Sequence, residues 1–348
     1  MKIIFVGDLR PHARAYQRKI ALEDLGHSVY AFSSVSIDIK TSSRPLVLLD
    51  RILSRIGFPL DHTGVNKWLQ KSTRQLDADL LWVEKGNQLW PWTLQAVRQT
   101  APQMRIASYS EDDMFLHHNR SYFYTWGLPH YDVVFTTKSH NCENGELAAL
   151  GAKCVVFVDK AFDQTLHRPI PVTETDKEHL GADVGFIGTF EEDRAQKMLF
   201  LAQNDVPVRI WGNGWSSWVN VHPNLKVENR PLYGEDYVRA ICATKINLCF
   251  LRKLNRDLQT DRSVEIPACG GFMLAERTDE HRRLFHENEE AVYFDTDDLS
   301  DLLNKAQYFR EHEETRLAIA AAGRNRCLVC GYSHHDRLQF MVDRLRYR

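Results

Sequence analysis

The sequence predicts an α/β protein of two Rossmann-like domains facing each other across a cleft. Three observations carry this. The chain has 348 residues, more than one ordinary open sheet needs. Short apolar runs alternate with amphipathic stretches throughout, as in a parallel sheet covered by helices. The pattern then restarts after a Pro-punctuated stretch poor in apolar residues, HRPIPVTETDKEHLGAD at 167–183, which is where the linker is expected.

The first series opens with KIIFVGD at 2–8, a strand buried on both faces, followed by a helix over 13–25 that stops at Gly26 and a strand at 28–32. Further strands are expected at 79–84, 104–110, 132–137 and 152–158. The second series opens with VGFIGTF at 184–190 and continues with strands at 206–212, 245–251, 271–276 and 291–295. The expected domains are 1–165 and 180–333, with a last segment, 334–348, forming a helix that crosses back to the first domain. Ligands of paired Rossmann-like units are expected at the carboxyl ends of the strands.

Composition narrows the function classes. With 43% hydrophobic and 26% charged residues the chain is an ordinary folded protein, and a net charge of −2 gives no field for general capture of nucleic acid. Seven cysteines scattered through predicted elements fit a reducing cytoplasm better than a disulfide framework. Cys327 and Cys330 form a single C-x-x-C without a second pair at zinc spacing, so helix packing is expected of them. The N-terminus reads as a strand and not a signal peptide, and no run is long enough to span a membrane. In RPLVLLDRILSRIGFPL at 44–60, apolar Leu46, Leu49, Ile52, Leu53 and Ile56 share a face, with Arg51 and Arg55 on another. Such a segment lies on a membrane surface, or packs on its own sheet or covers the acceptor cleft; packing or covering is the expectation, and a peripheral membrane contact the alternative.

The most informative region is 257–276, DLQTDRSVEIPACGGFMLAE, between two predicted strands. Ser263 is placed as N-cap of a short helix, Glu265 in its first turn, and Gly270-Gly271 as its stop. The helix N-terminus offers unpaired N–H groups to a diphosphate, Arg262 adds a charged planar donor fork, and Glu265 can accept two hydrogen bonds from a ribose diol. A local ion pair between Arg262 and Glu265 explains the same spacing equally well.

The run R-S-V-E-I-P-A-C-G-G-F-M-L resembles the signature of the CgeB-like glycosyltransferases, a bacterial group of GT-B architecture, and the Glu-x-x-Ala-x-Gly portion of the wider retaining GT-B group. That resemblance implies donor ribose binding by Glu265. Asp257 stands where the wider group often has a second Glu. D-V-G-F-I-G-T-F-E-E-D-R at 183–194 is similar to the family's first C-domain strand, loop and following Arg, which implies phosphate contacts from Gly188 and Arg194. V-R-I-W-G-N-G-W at 208–215 looks like its Gly-x-Gly turn, implying donor contacts from Gly212, Asn213 and Gly214. K-I-N-L-C-F at 245–250 and G-Y-S-H-H-D-R at 331–337 resemble the strand before the donor motif and the start of the terminal helix.

In the first half, S-Y-S-E-D-D-M-F at 108–115 resembles a family segment of an aromatic residue followed by Asp-Asp-Pro, with Met114 in place of Pro. Asp112 and Asp113 then follow a strand, where one of them can bind the acceptor hydroxyl or act as base, or both can cap the next helix. The turn after the first strand reads G-D-L-R-P-H, which disfavours a dinucleotide site. His12 and Arg14 follow it as loop residues. Trp82, Trp90, Trp92, Trp126 and Tyr109 make this half aromatic, most of them as expected core. Asp295-Thr-Asp297 imitates a metal-binding Asp-x-Asp but precedes a helix, so capping is expected.

The expected activity is transfer of a sugar from a nucleoside-diphosphate donor to a hydroxyl of a glycan, lipid carrier or protein, with no cofactor and no essential metal. Arg262 and Arg194 would stabilise the leaving diphosphate. Retention of configuration is implied by the wider group. The rivals are a nucleotide-sugar epimerase on the same scaffold and a non-catalytic nucleotide-sugar-binding subunit.

Overall fold

A computed structural model describes residues 1–35 and 44–346. The chain forms two compact units, Met1–Asp159 with His334–Arg348, and Lys160–Ser333. Each is built on a six-stranded sheet in which every pairing is parallel.

In the first unit the order along the chain is β1 (Lys2–Gly7), α1 (Arg14–Asp24), β2 (Ser28–Ser33), α2 (Arg44–Arg55), α3 (Val65–Gln75), β3 (Leu80–Glu84), α4 (Pro91–Thr100), β4 (Arg105–Ser110), α5 (Tyr122–Gly127), β5 (Val133–Thr136) and β6 (Val155–Phe157). The sheet order β2-β1-β3-β4-β5-β6 reverses direction of growth at β1. A strand covered on both faces must be apolar at successive positions, and β1 obeys this. Ile3 and Phe5 enter a core with α1, while Ile4 and Val6 enter a second core with α3 and α4.

The second unit runs α6 (Glu174–Leu180), β7 (Ala182–Ile187), α7 (Glu192–Gln203), β8 (Val208–Trp211), β9 (Leu225–Val227), α8 (Gly234–Ala243), β10 (Thr244–Cys249), α9 (Arg262–Ala268), β11 (Met273–Glu276), α10 (Asp279–Leu284), β12 (Val292–Phe294), α11 (Leu299–Glu311) and α12 (Glu313–Val329). Its sheet order is β12-β11-β10-β7-β8-β9. Val184, Phe186, Ile246 and Leu248 supply one core face, and Cys249, Met273 and Ala275 the other.

Two places differ from the sequence reading. The stretch 167–183 lies inside the second unit and contains α6, whose start is fixed by a capping box between Thr173 and Asp176. The three-residue edge strand β9 had no apolar run to announce it. The last helix, α13 (His334–Arg346), belongs to the first unit, where Leu338, Met341, Val342 and Leu345 join the core that holds Ile3 and Phe5. No helix among the described residues is long and apolar enough to cross a membrane.

Candidate donor site

The residues singled out in the second half converge on the carboxyl ends of β7, β8 and β10. The loops after β7 and β8 are laced together. Gly188 N donates to Trp211 O (2.8 Å), Phe190 N to Asn213 O (2.9 Å), and the Trp215 indole to Gly188 O (2.9 Å). This lacing requires glycine at 212, where a Cβ would stand 1.9 Å from the Gly188 carbonyl oxygen. Gly214 has φ +86°, a conformation that disfavours a side chain, and together with Asn213 it is exposed. The loops therefore present backbone next to Arg262, whose Nη1 would lie 3.2 Å from a Cβ at 188.

Arg262 opens α9. Its Nη1 donates to Ile187 O and its Nη2 to Phe250 O, both at 3.1 Å, which ties the ends of β7 and β10 together. The guanidinium carries five N–H donors, so these two bonds leave capacity, and Nε is buried without a partner. Among the described residues no carboxylate pairs with Arg262, and the local ion pair to Glu265 does not form. Arg194, in the first turn of α7, reaches the same ring of carbonyls through Thr189 O (3.3 Å) and Leu251 O (3.2 Å). Both guanidinium groups lie over the Phe186 ring, at 5.4 Å for Arg194 and 5.2 Å for Arg262. Burial and the like charge of Arg262 hold the Arg194 pKa below its usual value, against the pull of Glu191.

Arg194 is only 2% exposed and pairs with Glu191 at 2.8 Å, so it organises the β7 loop and adds positive field behind it. Ser263 changes role. Helix α9 starts two residues earlier, with Asp261 and not Ser263 at the N-cap position, and Ser263 is fully buried, with Oγ accepting from Thr260 N at 2.9 Å. Its hydroxyl bonds His281 Nε2 (2.7 Å), and His281 Nδ1 faces the Glu276 carbonyl at 2.7 Å, which makes Nδ1 the donor and Nε2 the acceptor of the Ser263 proton. The Ser263 side chain is thus a buried strut. Burial lowers the His281 pKa to about 4, so the ring is neutral.

Glu265 is 3% exposed. The Tyr237 hydroxyl donates to Oε2 at 2.6 Å, and His167 Nε2 lies 3.8 Å from Oε1. Burial, then the Glu265 charge, pushes the Tyr237 phenol pKa up, so it stays the proton donor. A small pocket beside Arg262 and Tyr237 is lined also by Ile187, Ile241, Asn247 and Ile266. Sequence reasoning missed Tyr237, His167 and His281, and also Lys160, whose buried ammonium meets Asp261 at 3.1 Å just before α9. Their spacing from the motif carries no signal; only the fold assembles them. Asp257 sits in the same loop, its carboxylate held by Asn255 at 2.8 Å.

In the first unit Asp112 and Asp113 follow β4 as expected but part company. Asp113 is fully buried, its Oδ1 accepting from Asn141 Nδ2 (2.8 Å) and Phe115 N (3.1 Å), so it anchors the loop and is not placed to meet an acceptor. Asp112 is about a third exposed and bonds Lys85 Nζ at 2.7 Å. Beside them lies a buried network the sequence did not announce. Arg18 is bidentate to Glu84 (2.9 and 2.7 Å), approaches Glu111 at 3.3 Å and covers the Tyr109 ring. Trp82 and Tyr109 are core as expected, whereas Trp92 and Trp126 are each 51% exposed. Asp295 and Asp297 bond within their own turn, and the cap of α11 is Asp298. Cys327 is buried against α9, with Cys330 exposed and both unpaired.

Residues 194–343 match the model of a family described as glycosyl transferase-like. Among curated proteins no sequence matches the chain. Of solved structures, sucrose-phosphate synthase from Thermosynechococcus elongatus is similar at 13% identity and a TM-score of 0.66, over 100% of this chain and 99% of that one. Alr3699/HepE of Anabaena, in complex with UDP and glucose, is similar at 12% identity and a TM-score of 0.64, covering 100% of both chains. An alpha-glucosyltransferase in complex with UDP and a 13-mer DNA containing a HMU base is similar at 12% identity and a TM-score of 0.69, over 99% of both. Two parallel six-stranded α/β units on one chain, matched over their full length by such structures, give this protein the GT-B fold.

Proposed function

We infer that the chain is a glycosyltransferase that moves a sugar from a nucleoside-diphosphate donor to a hydroxyl of a cell-envelope glycan, a lipid carrier or a protein. The observation that carries this is Arg262: a guanidinium without a carboxylate partner, held at the carboxyl ends of β7 and β10 beside two glycine-bearing loops. Such a group, with the field of Arg194 behind it, favours a diphosphate in that place. The segment matched to the glycosyl transferase-like family contains both arginines, and two of the similar structures hold UDP.

In the reaction the acceptor oxygen bonds to the sugar C1, the bond from C1 to the phosphate oxygen breaks, and the nucleoside diphosphate departs with both electrons of that bond. Arg262 stabilises the charge on the diphosphate, the Asn213-Gly214 part of the turn offers backbone donors while Gly188 and Gly212, whose own N–H groups bond Trp211 O and Arg230 O, let the backbone approach closely, and Glu265 accepts from the ribose. Asp112 is the candidate to receive the acceptor proton, since Asp113 is sealed in the core. Retention, independence from metal, a cytoplasmic setting and a peripheral membrane contact through 44–60 belong to the same proposal.

Calorimetric titration with UDP and with UDP-glucose, in EDTA, tests it. Wild-type protein binds one or both, and Arg262→Met weakens binding by about 10-fold or more, the worth of a charge-assisted bidentate contact. Unchanged affinity in Arg262→Met and in Glu265→Ala removes the site assignment. An epimerised donor formed without any acceptor removes the transferase class.

A further inference from the structure

The amphipathic stretch after β2 does not bury its apolar side. In α2 and the residue after it, Leu48, Leu49, Ile52 and Ile56 are 57, 46, 51 and 57% exposed. A helix at 100° per residue sets Leu49, Ile52 and Ile56 on one face, with Leu48 at its margin and Arg51 and Arg55 along that flank. Packing on its own sheet, part of the expectation from sequence, is met only at Leu53, which is half-buried, and not at Leu49, Ile52 and Ile56; the side chain of Leu46 lies outside the described residues.

A second feature continues this surface. The chain leaves α2 through Gly57, whose carbonyl accepts from Tyr122 N at 2.9 Å. Phe58 stacks on Tyr122 (4.9 Å between ring centroids) and stands 5.9 Å from Trp126, and Phe123 links this cluster to Trp92 at 5.9 Å. Tyr122, Trp126 and Trp92 are 44, 51 and 51% exposed. An exposed aliphatic helix face thus runs into a cluster of exposed aromatic rings within the first unit. Isolated exposed apolar residues need no explanation, but seven large ones gathered on α2 and on the aromatic cluster that its exit joins do.

We propose that this surface docks on a lipid bilayer bearing anionic headgroups. Tryptophan and tyrosine beside an aliphatic helix face is the composition that settles at the boundary between headgroups and acyl chains. The charges complete the match. The helix's one acidic residue, Asp50, is turned to His62 at 3.0 Å and accepts from Leu60 N at 2.9 Å. Arg51 and Arg55 are exposed, and among the described residues no carboxylate pairs with either. Their alkyl stems can follow the apolar flank while the guanidinium groups reach phosphate. The inference rests on the peripheral contact included in the functional reading, and it names the lipid chemistry and the aromatic half of the contact. It does not depend on sugar transfer.

The test is co-sedimentation of the full chain with vesicles of phosphatidylcholine alone and of phosphatidylcholine mixed with phosphatidylglycerol. The expected result is binding to the mixed vesicles, weaker binding to the neutral ones, and release by salt. Ile52→Glu with Ile56→Glu lowers binding by about 10-fold or more, and Trp126→Ala lowers it separately. Each of Arg51→Gln and Arg55→Gln lowers binding to the mixed vesicles by about fivefold. Circular dichroism and UDP titration on the same variants keep loss of the fold or of the donor site distinct from loss of this surface. Absent binding by wild type, equal binding to both vesicle types, or binding indifferent to all these substitutions overturns the proposal. So does a dimer that Ile52→Glu dissociates in a protein that ignores vesicles.

Discussion

Lowering the pH from 7 to 5 should weaken the second unit through His281, and the size of the effect follows from its surroundings. The ring is fully buried, stacks on Tyr293 and spends both nitrogens on Ser263 and the Glu276 carbonyl. Burial takes its pKa from 6.5 to about 4. Because the folded value is the lower one, the stabilisation is complete above the unfolded pKa and disappears as pH falls through the folded value. Between pH 7 and pH 5 the unfolded chain gains the proton and the folded one does not, which costs about 2 kcal/mol, rising to about 3 kcal/mol near pH 4. His281→Gln keeps an amide oxygen to accept from Ser263 and an N–H to donate to the carbonyl, but it cannot titrate. Urea unfolding of both proteins at pH 7, 6 and 5 isolates the term, since every other titrating group is common to the two and cancels in the difference. Wild type should lose about 2 kcal/mol more than His281→Gln over that range. Parallel curves would refute the buried neutral ring, and with it the strut that holds the turn before Arg262.

Two further perturbations bear on the scaffold of each unit. Gly212→Ala drives a methyl into the Gly188 carbonyl, so the two loops must separate; a loss of about 1–3 kcal/mol in urea unfolding is expected together with weakened UDP binding, and a neutral result would mean that the lacing is not needed. Arg18→Ala strands the Glu84 carboxylate in the first unit, with an expected loss of about 3–5 kcal/mol, whereas Arg18→Met with Glu84→Leu should recover much of it; equal damage by both would show that shape and not charge is at stake.

The sheets were legible because a strand covered on both faces announces itself: KIIFVGD and KINLCFL admit few other environments. What stayed hidden was short or polar. β9 presents three residues at an edge, and α6 was passed over for its prolines although Thr173 and Asp176 spelled its capping box. At the site, Arg262 and the glycine loops were readable from their position after strands, but burial was not. Asp112 and Asp113 are neighbours of one residue type, and only the Asn141 amide across the sheet end decides that one of them is core. Ser263 was equally ambiguous, since a serine that opens a helix and one that braces it from within look alike until His281 arrives from another element.

The assignment of α13 to the first unit bears on how the protein is made. Leu338, Met341, Val342 and Leu345 close over Ile3, Phe5 and the apolar side of α1. During synthesis the amino-terminal sheet therefore waits, one flank bare, until the ribosome has passed through all of the second unit. A nonsense codon just before His334 spares every residue of the donor site and removes part of the core on which β1 is built, so its lesion falls at the opposite end of the gene from the mutation.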